Sequence, residues 1–497
     1  MPSRARALRL SAGALVRPAF GGSALAAIVV LLAGIASCSD LKTAEGDDPP
    51  GSDGGDGDSG ADAAAEPPGT DGSVGADASV DAGPPPADFE CKGDEWTKTT
   101  KTKAECAPRQ VRVLTASAPI DVNAISIART PAGRVGIVYN SEEGSETGEM
   151  HLLHFLPSTP SFAAPVLVKR ATGFAFHDGY LSKLAASAPD TLAVLTYDMD
   201  DISSSGEVHL RKLVGGKEPL TDDLAFNGVM ARPTEIAIAS DAAGNIVATA
   251  RRKATVGATA TLLTAGKTPT GPFTSLPSLA TNLLPAEAPG AGAVSMVFDP
   301  VGQLHLLYHH NEVPQHSNPR YHVIAGGAWS FRKTIDNNVV DGLSGWSPRL
   351  AVFGTKKYAA YFFRKAQQVT PAVADLRLAS WDSDTDTPSI EILDQGIPSP
   401  DVQYPAYRVA MAVDKFGLVH VALLRPSSAN VGYLEYRRQT RVTGGGTKWL
   451  SDIVDGDVIS QTSEAYVDMV VDGNARPHIA YRSAKDGKVR YATRFDR

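Results

Sequence analysis

The densest group of chemically reactive side chains in this chain lies between residues 305 and 322, where the sequence reads HLLYHHNEVPQHSNPRYH. A neutral histidine can transfer a proton or bind a metal ion near neutral pH. The segment therefore predicts proton transfer or ligand binding. It contains five of the eleven histidines of the chain, His305, His309, His310, His316 and His322.

His305 occupies a position that recurs along the chain. It lies six residues after a turn aspartate, as His420 and His478 do in later copies of the same pattern. A residue that recurs in several repeat units is typical of the repeat framework. We therefore interpret His305 as structural and keep the non-recurring histidines as functional candidates.

The functional candidates follow the second strand of each repeat unit, on the face where ring-shaped repeat proteins form their pocket. Tyr308 ends such a strand, and its ring can pack between units while its hydroxyl stays near solvent. No residue is assigned a catalytic role, and no metal or cofactor is expected. The candidate binding residues are Tyr308, His309, His310, His316, Asp198, Arg251, Arg364, Arg425 and Arg482.

Four kinds of site are compatible with these residue types. A polysaccharide lyase would use a neutral histidine or tyrosine as the base beside a uronate carboxylate, with arginine neutralising the enolate. A glycosidase would need two carboxylates about 5–9.5 Å apart. A zinc site from two or three histidines would not match a compact ligand motif. A solvated polar rim that binds weakly or not at all is the simplest alternative. The acids on the pocket side are Asp198, Asp200, Asp201, Glu142, Glu143 and Glu312.

The elements that position these side chains repeat seven times between Ile125 and Arg497. Each unit has an apolar strand, a turn marked by glycine or aspartate, a second apolar strand, a polar loop and a third strand. The turns recur about every 57 residues, and the runs alternate apolar and polar residues, as β-strands do. A stacked solenoid is the alternative to a ring.

Most units offer a fourth strand, which predicts the four-stranded antiparallel blade of a β-propeller. The last unit has only three strands before the chain ends, whereas Gln110–Ala116 provides an unassigned strand before the first unit. Pairing these two segments would leave no open sheet edge. The sequence therefore predicts an all-β, seven-bladed propeller that is closed by an N-terminal strand.

The turns resemble the Asp-box of sialidase-like propellers, as in Ser240-Asp241-Ala-Ala-Gly244 and Asp414-Lys-Phe-Gly417. In these turns glycine stands three residues after aspartate. The body of the chain, over about 390 residues, is similar to secreted bacterial propellers of the broad sialidase/BNR-like kind. In that family the box is a folding device on the face away from the active site.

A second acidic segment, Trp381-Asp-Ser-Asp-Thr-Asp-Thr-Pro388, alternates carboxylates in a way that suits calcium. A tight calcium loop needs a glycine at the sixth position and an acid at the twelfth, and both are missing here. We interpret the segment as a polar turn between the third and fourth strands of unit five.

The N-terminus carries a targeting pattern. Four arginines precede the apolar run GGSALAAIVVLLAGIAS, and the run ends in Ile35-Ala36-Ser37-Cys38. This ending resembles the lipobox of bacterial lipoproteins, which implies cleavage before Cys38 and its diacylation. Acyl chains contribute roughly 0.8 kcal/mol per buried CH₂, so two or three anchor a protein to a membrane.

Residues 40–90 contain fourteen acids and one lysine among Gly, Ala, Pro and Ser, so they have little apolar surface to bury. They predict a disordered, extended tether. The rest of the chain after this segment is nearly neutral, which argues against nucleic-acid binding. Cys91 and Cys106 remain as an even pair and are expected to form a disulfide in an oxidising compartment.

Together these features predict a monomeric lipoprotein on the periplasmic or outer side of a Gram-negative cell envelope. Its expected partners are the membrane, through the lipid, and a polysaccharide or envelope protein. The expected role is binding or scaffolding, with a polysaccharide-active enzyme as the alternative. The expected segments are a signal peptide (1–37), the tether (38–90), a disulfide-pinned leader (91–109) and the propeller (110–497).

The lipid anchor can be tested by mass spectrometry of the membrane fraction. We expect a mature chain that begins at acylated Cys38 and lacks residues 1–37. Cys38→Ser should release the protein from the membrane. A soluble, unmodified wild-type chain would contradict the anchor.

Overall fold

A computed structural model describes the backbone from residue 95 onward with gaps, and every described element is a β-strand. No described helix has the length and apolar character of a membrane span. The predicted cleavage site, the tether and Cys91 lie outside the described residues, so the anchor and the disulfide stay predictions. The described ranges are 95–99, 104–108, 111–115, 122–142, 147–156, 161–172, 182–199, 205–215, 221–230, 236–252, 260–281, 294–313, 316–325, 328–337, 342–365, 373–398, 408–426, 432–442, 445–459, 466–483 and 486–494.

Thirty-one described strands form one hairpin and seven blades, numbered in chain order. The hairpin consists of β1 (Glu95–Thr99) and β2 (Ala104–Pro108), and the next strand in the chain is β3 (Val111–Thr115). Blade 1 is β4 (Val122–Arg129), β5 (Val135–Glu142), β6 (Thr147–Leu156), β7 (Ser161–Phe162) and β8 (Val166–Thr172). Blade 2 is β9 (Ser182–Ala188), β10 (Thr191–Met199), β11 (Ser205–Val214) and β12 (Thr221–Met230). Blade 3 is β13 (Ile236–Ser240), β14 (Ile246–Arg252), β15 (Ala260–Lys267) and β16 (Thr274–Thr281).

The later blades follow the same plan. Blade 4 is β17 (Val294–Phe298), β18 (Leu304–Val313), β19 (His316–Ala325) and β20 (Ala328–Thr334). Blade 5 is β21 (Gly342–Phe353), β22 (Lys356–Lys365), β23 (Val373–Trp381) and β24 (Ser389–Pro398). Blade 6 is β25 (Val409–Val413), β26 (Val419–Pro426), β27 (Gly432–Arg441) and β28 (Thr447–Ile459). Blade 7 is β29 (Val467–Val471), β30 (Pro477–Arg482) and β31 (Val489–Arg494).

The first strands of the blades form a closed circle. Each contacts the first strand of the next blade, in the order β4, β9, β13, β17, β21, β25, β29 and back to β4. Seven clusters of buried apolar side chains lie between the seven pairs of neighbouring blades. An open row of seven blades would have only six such clusters, so the solenoid alternative is wrong.

The ring closes as the sequence predicts. Strand β3 pairs antiparallel with β31, from Val111 opposite Arg494 to Thr115 opposite Arg490, and supplies the fourth strand of blade 7. The fold class, with seven antiparallel blades and closure by an N-terminal strand, is confirmed.

Two local features differ from four simple strands per blade. In blade 1 both β7 and β8 pair with β6, because residues 163–165 interrupt the outer strand. Between blades 4 and 5, Ser317 and Leu343 form one parallel pair that joins the two sheets.

The turn between the first and second strands has a repeated chemistry. In blade 6 the backbone N–H of Gly417 donates to the carbonyl of Asp414, and Gly417 adopts a φ of 77°. One carboxylate oxygen of Asp414 accepts the N–H groups of Phe416 and Leu418 at 2.9 Å each. Blade 7 keeps this turn with Ala475 in the glycine position at a φ of 59°.

We call the end of the ring that carries these turns the turn end, and the opposite end the loop end. Because the strands of a blade are antiparallel, the third strand also turns into the fourth strand at the turn end. The connection from the second strand to the third, and the passage from one blade to the next, lie at the loop end.

Ring closure can be tested by deletion. Removing residues 107–118 should destabilise the entire propeller, because β31 loses a ladder of hydrogen bonds worth roughly 0.5–1.5 kcal/mol each and a sheet edge is opened. Thermal unfolding is the measurement.

The matched control removes residues 40–85, which lie in the predicted tether, and should leave the melting temperature unchanged. A 107–118 deletion that melts like the intact chain would contradict the closure.

Candidate functional site

The histidine-rich segment lies in a strand. Tyr308, His309 and His310 belong to β18, whereas the sequence placed the two histidines in the loop that follows it. Each of the three is at most 3 % exposed. His309 pairs across the sheet with Pro319, and His310 pairs with Asn318.

The two histidines point to opposite faces of blade 4, since consecutive residues of a strand alternate. Tyr308 packs in the apolar cluster between blades 3 and 4, and its ring contacts His310 at a centroid distance of 6.0 Å. Leu307 packs in the cluster between blades 4 and 5, and His309 continues on that face. The structure therefore separates His309 from His310.

The group on the blade 3 side consists of the buried residues Tyr308, His310 and His322 and the half-buried Arg320. The Tyr308 hydroxyl lies 3.5 Å from Nε2 of His322, and their rings are 5.4 Å apart. Burial, followed by the nearby Arg320 and His310, lowers the pKa of His322 to about 4. His322 is therefore neutral at pH 7. Among the described residues, no three His, Cys, Asp or Glu side chains form a metal-binding group.

Arg425 of blade 6 forms an ion pair with a carboxylate of blade 5. Its Nε and Nη2 donate to the two oxygens of Asp394 at 2.6 and 3.2 Å, and its Nη1 donates to the hydroxyl of Tyr433. The hydrogen bond with Asp394 raises the pKa of Arg425 above its usual value. Arg437 donates to the same Asp394 at 3.1 Å. The side chains of blade 6 thus hold a carboxylate that comes from blade 5.

The same kind of contact joins blades 4 and 5. Oδ2 of Asp336 accepts hydrogen bonds from Tyr361 at 3.0 Å, Ser344 at 3.0 Å and Arg377 at 2.8 Å. Asp336 is 3 % exposed. Burial, followed by the charge of Asp336, raises the pKa of Tyr361 well above its usual value, so the phenol remains a neutral donor.

Blades 6 and 7 are joined in the same way. Oδ2 of Asp455 accepts hydrogen bonds from Tyr481 and Arg490, both at 2.6 Å. In blades 5 and 7 the tyrosine and the arginine stand opposite each other on the second and third strands. We call the three contacts of Asp336, Asp394 and Asp455 with the following blade the aspartate joints.

The sequence contains a signal for these aspartates that the predictions above did not use. The fourth strands recognised in the sequence as AWSFRKTI, SIEIL and TKWLSDIV are each followed at once by aspartate. These residues are Asp336, Asp394 and Asp455. The corresponding strand of blade 3, β16 (TSLPSLAT), contains no acid.

The other predicted candidates are distributed around the ring. Arg364 lies on β22 with Nε buried, and Arg482 lies on β30 in blade 7. The backbones of Asp198, Arg251 and His316 lie in β10, β14 and β19, and their side chains lie outside the described residues. The described geometry therefore does not bring the nine candidates into one cluster.

One charged residue at the loop end was missed by the sequence analysis. Arg408 immediately precedes β25, the inner strand of blade 6, and its carbonyl accepts the N–H of Leu424. Its side chain is 6 % exposed and has no hydrogen bond or ion pair with a carboxylate among the described residues. Burial lowers the pKa of Arg408 to about 10, so the guanidinium stays charged at pH 7.

The recurring histidines lie at the turn end and are structural, as interpreted. Nδ1 of His305 accepts the hydroxyl of Tyr321 at 2.6 Å, and Nε2 lies 3.2 Å from the turn carboxylate of Asp299. Burial lowers the pKa of His305, even though Asp299 opposes this shift.

The same histidine contacts recur in blades 6 and 7. His420 lies 2.5 Å from the Tyr436 hydroxyl and 3.2 Å from Asp414, and His478 lies 2.5 Å from the hydroxyl of Tyr491. Each group ties the first turn of a blade to its third strand.

The acidic segment of unit five is the polar turn that the sequence predicted. It connects β23 to β24, and Asp386 accepts the N–H of Ser383 at 2.7 Å. Lys333 of blade 4 donates to the carbonyls of Ser383 and Asp386 at 2.9 and 2.6 Å. The two hydrogen bonds from Lys333 therefore stabilise this turn.

The chain shows similarity to known proteins only among solved structures. No protein-family model matches the chain, and no curated protein matches it. Among solved structures, it is similar to the Aleuria aurantia lectin in complex with Fucα1-6GlcNAc, at 12 % identity over 69 % of this chain and 99 % of that chain, with a TM-score of 0.41. It is also similar to an ulvan lyase of family PL25, at 10 % identity over 77 % and 98 %, with a TM-score of 0.47. The NanB sialidase of Streptococcus pneumoniae matches at 9 % identity over 76 % and 70 %, with a TM-score of 0.37.

The aspartate joints can be tested by removing one carboxylate charge. Asp336→Asn removes the charge that pairs with Arg377 and leaves a single acceptor oxygen for Arg377, Tyr361 and Ser344, so the free energy of unfolding should fall by about 2–4 kcal/mol. Denaturant unfolding at pH 7 measures this change.

A matched control lies at the same blade junction. Asp384 is 3.3 Å from Arg332, and both side chains are at least 30 % exposed. Asp384→Asn should therefore change the stability by less than about 1 kcal/mol. Equal effects of the two substitutions would show that the joint does not hold the blades together.

Proposed function

We propose that this protein is a lipid-anchored, extracytoplasmic propeller that binds acidic carbohydrate at its loop end. The observation that carries the proposal is Arg408, a buried, charged guanidinium at the inner strand of the ring that has no carboxylate partner within the described ranges. An anion is the natural complement of such a group. Uronate-bearing or sulfated polysaccharide is the anion that an envelope-anchored binding protein would meet.

Binding is favoured over hydrolysis by the state of the buried acids. Glycosidases need one carboxyl group as acid and a second as base or nucleophile. The three aspartates that lie between blades are each held by arginine, so they serve the joints between blades.

The chain segments between blades favour carbohydrate as the ligand. Residues 173–181 (GFAFHDGYL) and 399–407 (SPDVQYPAY), which follow blades 1 and 5 in the chain, contain five aromatic residues. Aromatic rings offer a flat apolar face, which suits the apolar face of a sugar ring. Recognition by loops on a rigid scaffold is a common arrangement in binding proteins.

A polysaccharide lyase is the second candidate function. The group of Tyr308, His322 and Arg320 favours it, because a neutral base beside a cation is what proton abstraction next to a uronate requires. Tyr308 and His322 are 3 % and 5 % exposed, so substrate would have to reach a buried base. We rank binding first because the Tyr308 hydroxyl and Nε2 of His322 already contact each other at 3.5 Å, whereas the Arg408 guanidinium has no carboxylate partner among the described residues.

The predicted lipid anchor and tether specify where the proposed binding takes place. The lipobox-like sequence would fix the chain to a membrane, and the acidic segment of residues 38–90 would let the propeller reach polymers around it. An envelope protein is the other partner class that the sequence allows.

A glycan array followed by titration calorimetry tests the proposal. We expect acidic oligosaccharides to bind and Arg408→Gln to weaken that binding at least tenfold without lowering the melting temperature. Lys415→Gln, which removes an exposed cation at the turn end, is the charge-matched control.

Parallel assays of absorbance at 235 nm and of reducing ends separate binder, lyase and hydrolase. A rise in absorbance at 235 nm would identify a lyase, and a rise in reducing ends without it would identify a hydrolase. Either result would contradict a protein that only binds. Failure to bind any acidic glycan, or unchanged binding by Arg408→Gln, would reject the proposed site.

A further inference from the structure

We propose a second ligand site, in a groove between blades 5 and 6 at the turn end, that binds a single sugar carrying a carboxylate. It goes beyond the proposed function, because it lies at the opposite end of the ring from Arg408. We call it the turn-end groove. The residues that carry the proposal are Lys356, Tyr358, Glu391, Phe416, Gln439 and Arg441.

The turn-end groove has the size and composition of a small-molecule site. It encloses about 330 Å³, near the lower end of the roughly 300–1,000 Å³ of ligand pockets. Tyr358 and Leu378 form a buried floor and are 6 % and 3 % exposed. The walls are mostly polar and include the hydroxyl groups of Ser380, Ser389 and Thr447. A polar groove with an aromatic residue in its floor suits a sugar ring.

Two cations in the groove lack a carboxylate partner. Lys356 lies with its ammonium 5.7 Å from the centre of the Tyr358 ring, and Arg441 donates from Nη2 to the carbonyl of Phe416 at 3.2 Å. Neither cation forms an ion pair with an acid in the part of the chain that the structure describes. The one acid in the lining, Glu391, accepts the indole N–H of Trp449 at 2.8 Å. The lining therefore has an excess of positive charge, which favours an anionic ligand.

The cations of the groove are arranged differently from Lys333 at the junction of blades 4 and 5. Lys333 crosses to the next blade and donates hydrogen bonds to two carbonyls there. Lys356 and Arg441 stand on blades 5 and 6, on either side of the groove, without such a crossing contact between their charged groups. They can therefore act together on a carboxylate placed between them.

The local turn geometry explains why the groove occurs at this junction. Blade 5 joins its first two strands by Gly354 and Thr355 alone, since Phe353 pairs directly with Lys356. Blades 4, 6 and 7 have a longer turn whose aspartate approaches a histidine. In blade 5 this turn is shortened, and Lys357 takes the place of the histidine on the second strand.

Gly417 closes the edge of the groove. A Cβ at this position would lie 2.8 Å from the Phe353 ring, so only glycine permits this approach of blade 6 to blade 5. The Tyr358 hydroxyl donates to the Gly417 carbonyl at 3.1 Å and fixes the floor against the turn. The site is thus built from rigid turns and strands.

Titration with D-glucuronate, followed by saturation-transfer NMR and calorimetry, tests this site. The wild-type chain should bind glucuronate at least tenfold more tightly than D-glucose or sulfate, because both the ring and the carboxylate are recognised. The double variant Lys356→Gln/Arg441→Gln should lose at least tenfold in affinity, and the single variant Lys356→Gln should lose less.

Lys415→Gln is the charge-matched control, because Lys415 is exposed beside Phe416 but does not line the groove. It should bind glucuronate within twofold of wild type. All variants should keep the wild-type melting temperature. No glucuronate binding, equal binding of sulfate, or unchanged binding by the double variant would overturn the proposal.

The proposals for the two sites can be tested independently of each other. Arg408→Gln should keep glucuronate binding at the turn-end groove, and the double variant should keep oligosaccharide binding at the loop end. Loss of both activities in either variant would contradict two independent sites.

Discussion

The closure of the ring by β3 is the constraint on which the rest of the structure depends. Each blade buries apolar side chains on both of its faces, so each needs a neighbour on both sides. Blade 7 can pack fully against blade 1 only if its own sheet is complete, and β29, β30 and β31 supply three of its four strands. Pairing of Val111–Thr115 with β31 completes that sheet. Because the first and last parts of the body are joined, no blade has to cap the assembly.

A closed ring also explains where the buried charges lie. The aspartate joints place a carboxylate from the outer strand of one blade against arginine or tyrosine of the next. A buried carboxylate is stable only when it is paired and fully hydrogen-bonded, which fixes the position of one blade relative to its neighbour. A predicted binding residue, Arg425, is therefore used in packing. Arg408 and the pair in the turn-end groove have no such partner among the described residues, and our proposals assign them to ligands.

Much of this fold could be predicted from the sequence, because the signals are local. Strand alternation and turn residues marked seven units, and the missing fourth strand of the last unit pointed to Gln110–Ala116. The recurrence of His305 at His420 and His478 correctly indicated a structural role, which the contacts with Asp and Tyr explain.

The site was harder to predict, because it depends on which face of a strand a residue occupies. His309 and His310 are adjacent in the chain, and they are separated by the sheet only because β18 continues through them. The repeat pattern predicted that the second strand ends at Tyr308, whereas pairing with β19 extends the strand. The turn-end groove depends on a turn two residues long and on the approach of two blades, which one sequence does not reveal.

Native-state hydrogen exchange, resolved to the peptides of β3 and β31, tests the closure most directly. A ring closed by β3 predicts that the amides of residues 111–115 exchange as slowly as those of β31, because both would open only when the propeller unfolds. Exchange of residues 111–115 at the rate of an unstructured peptide, with β31 still protected, would contradict a ring completed by the N-terminal strand.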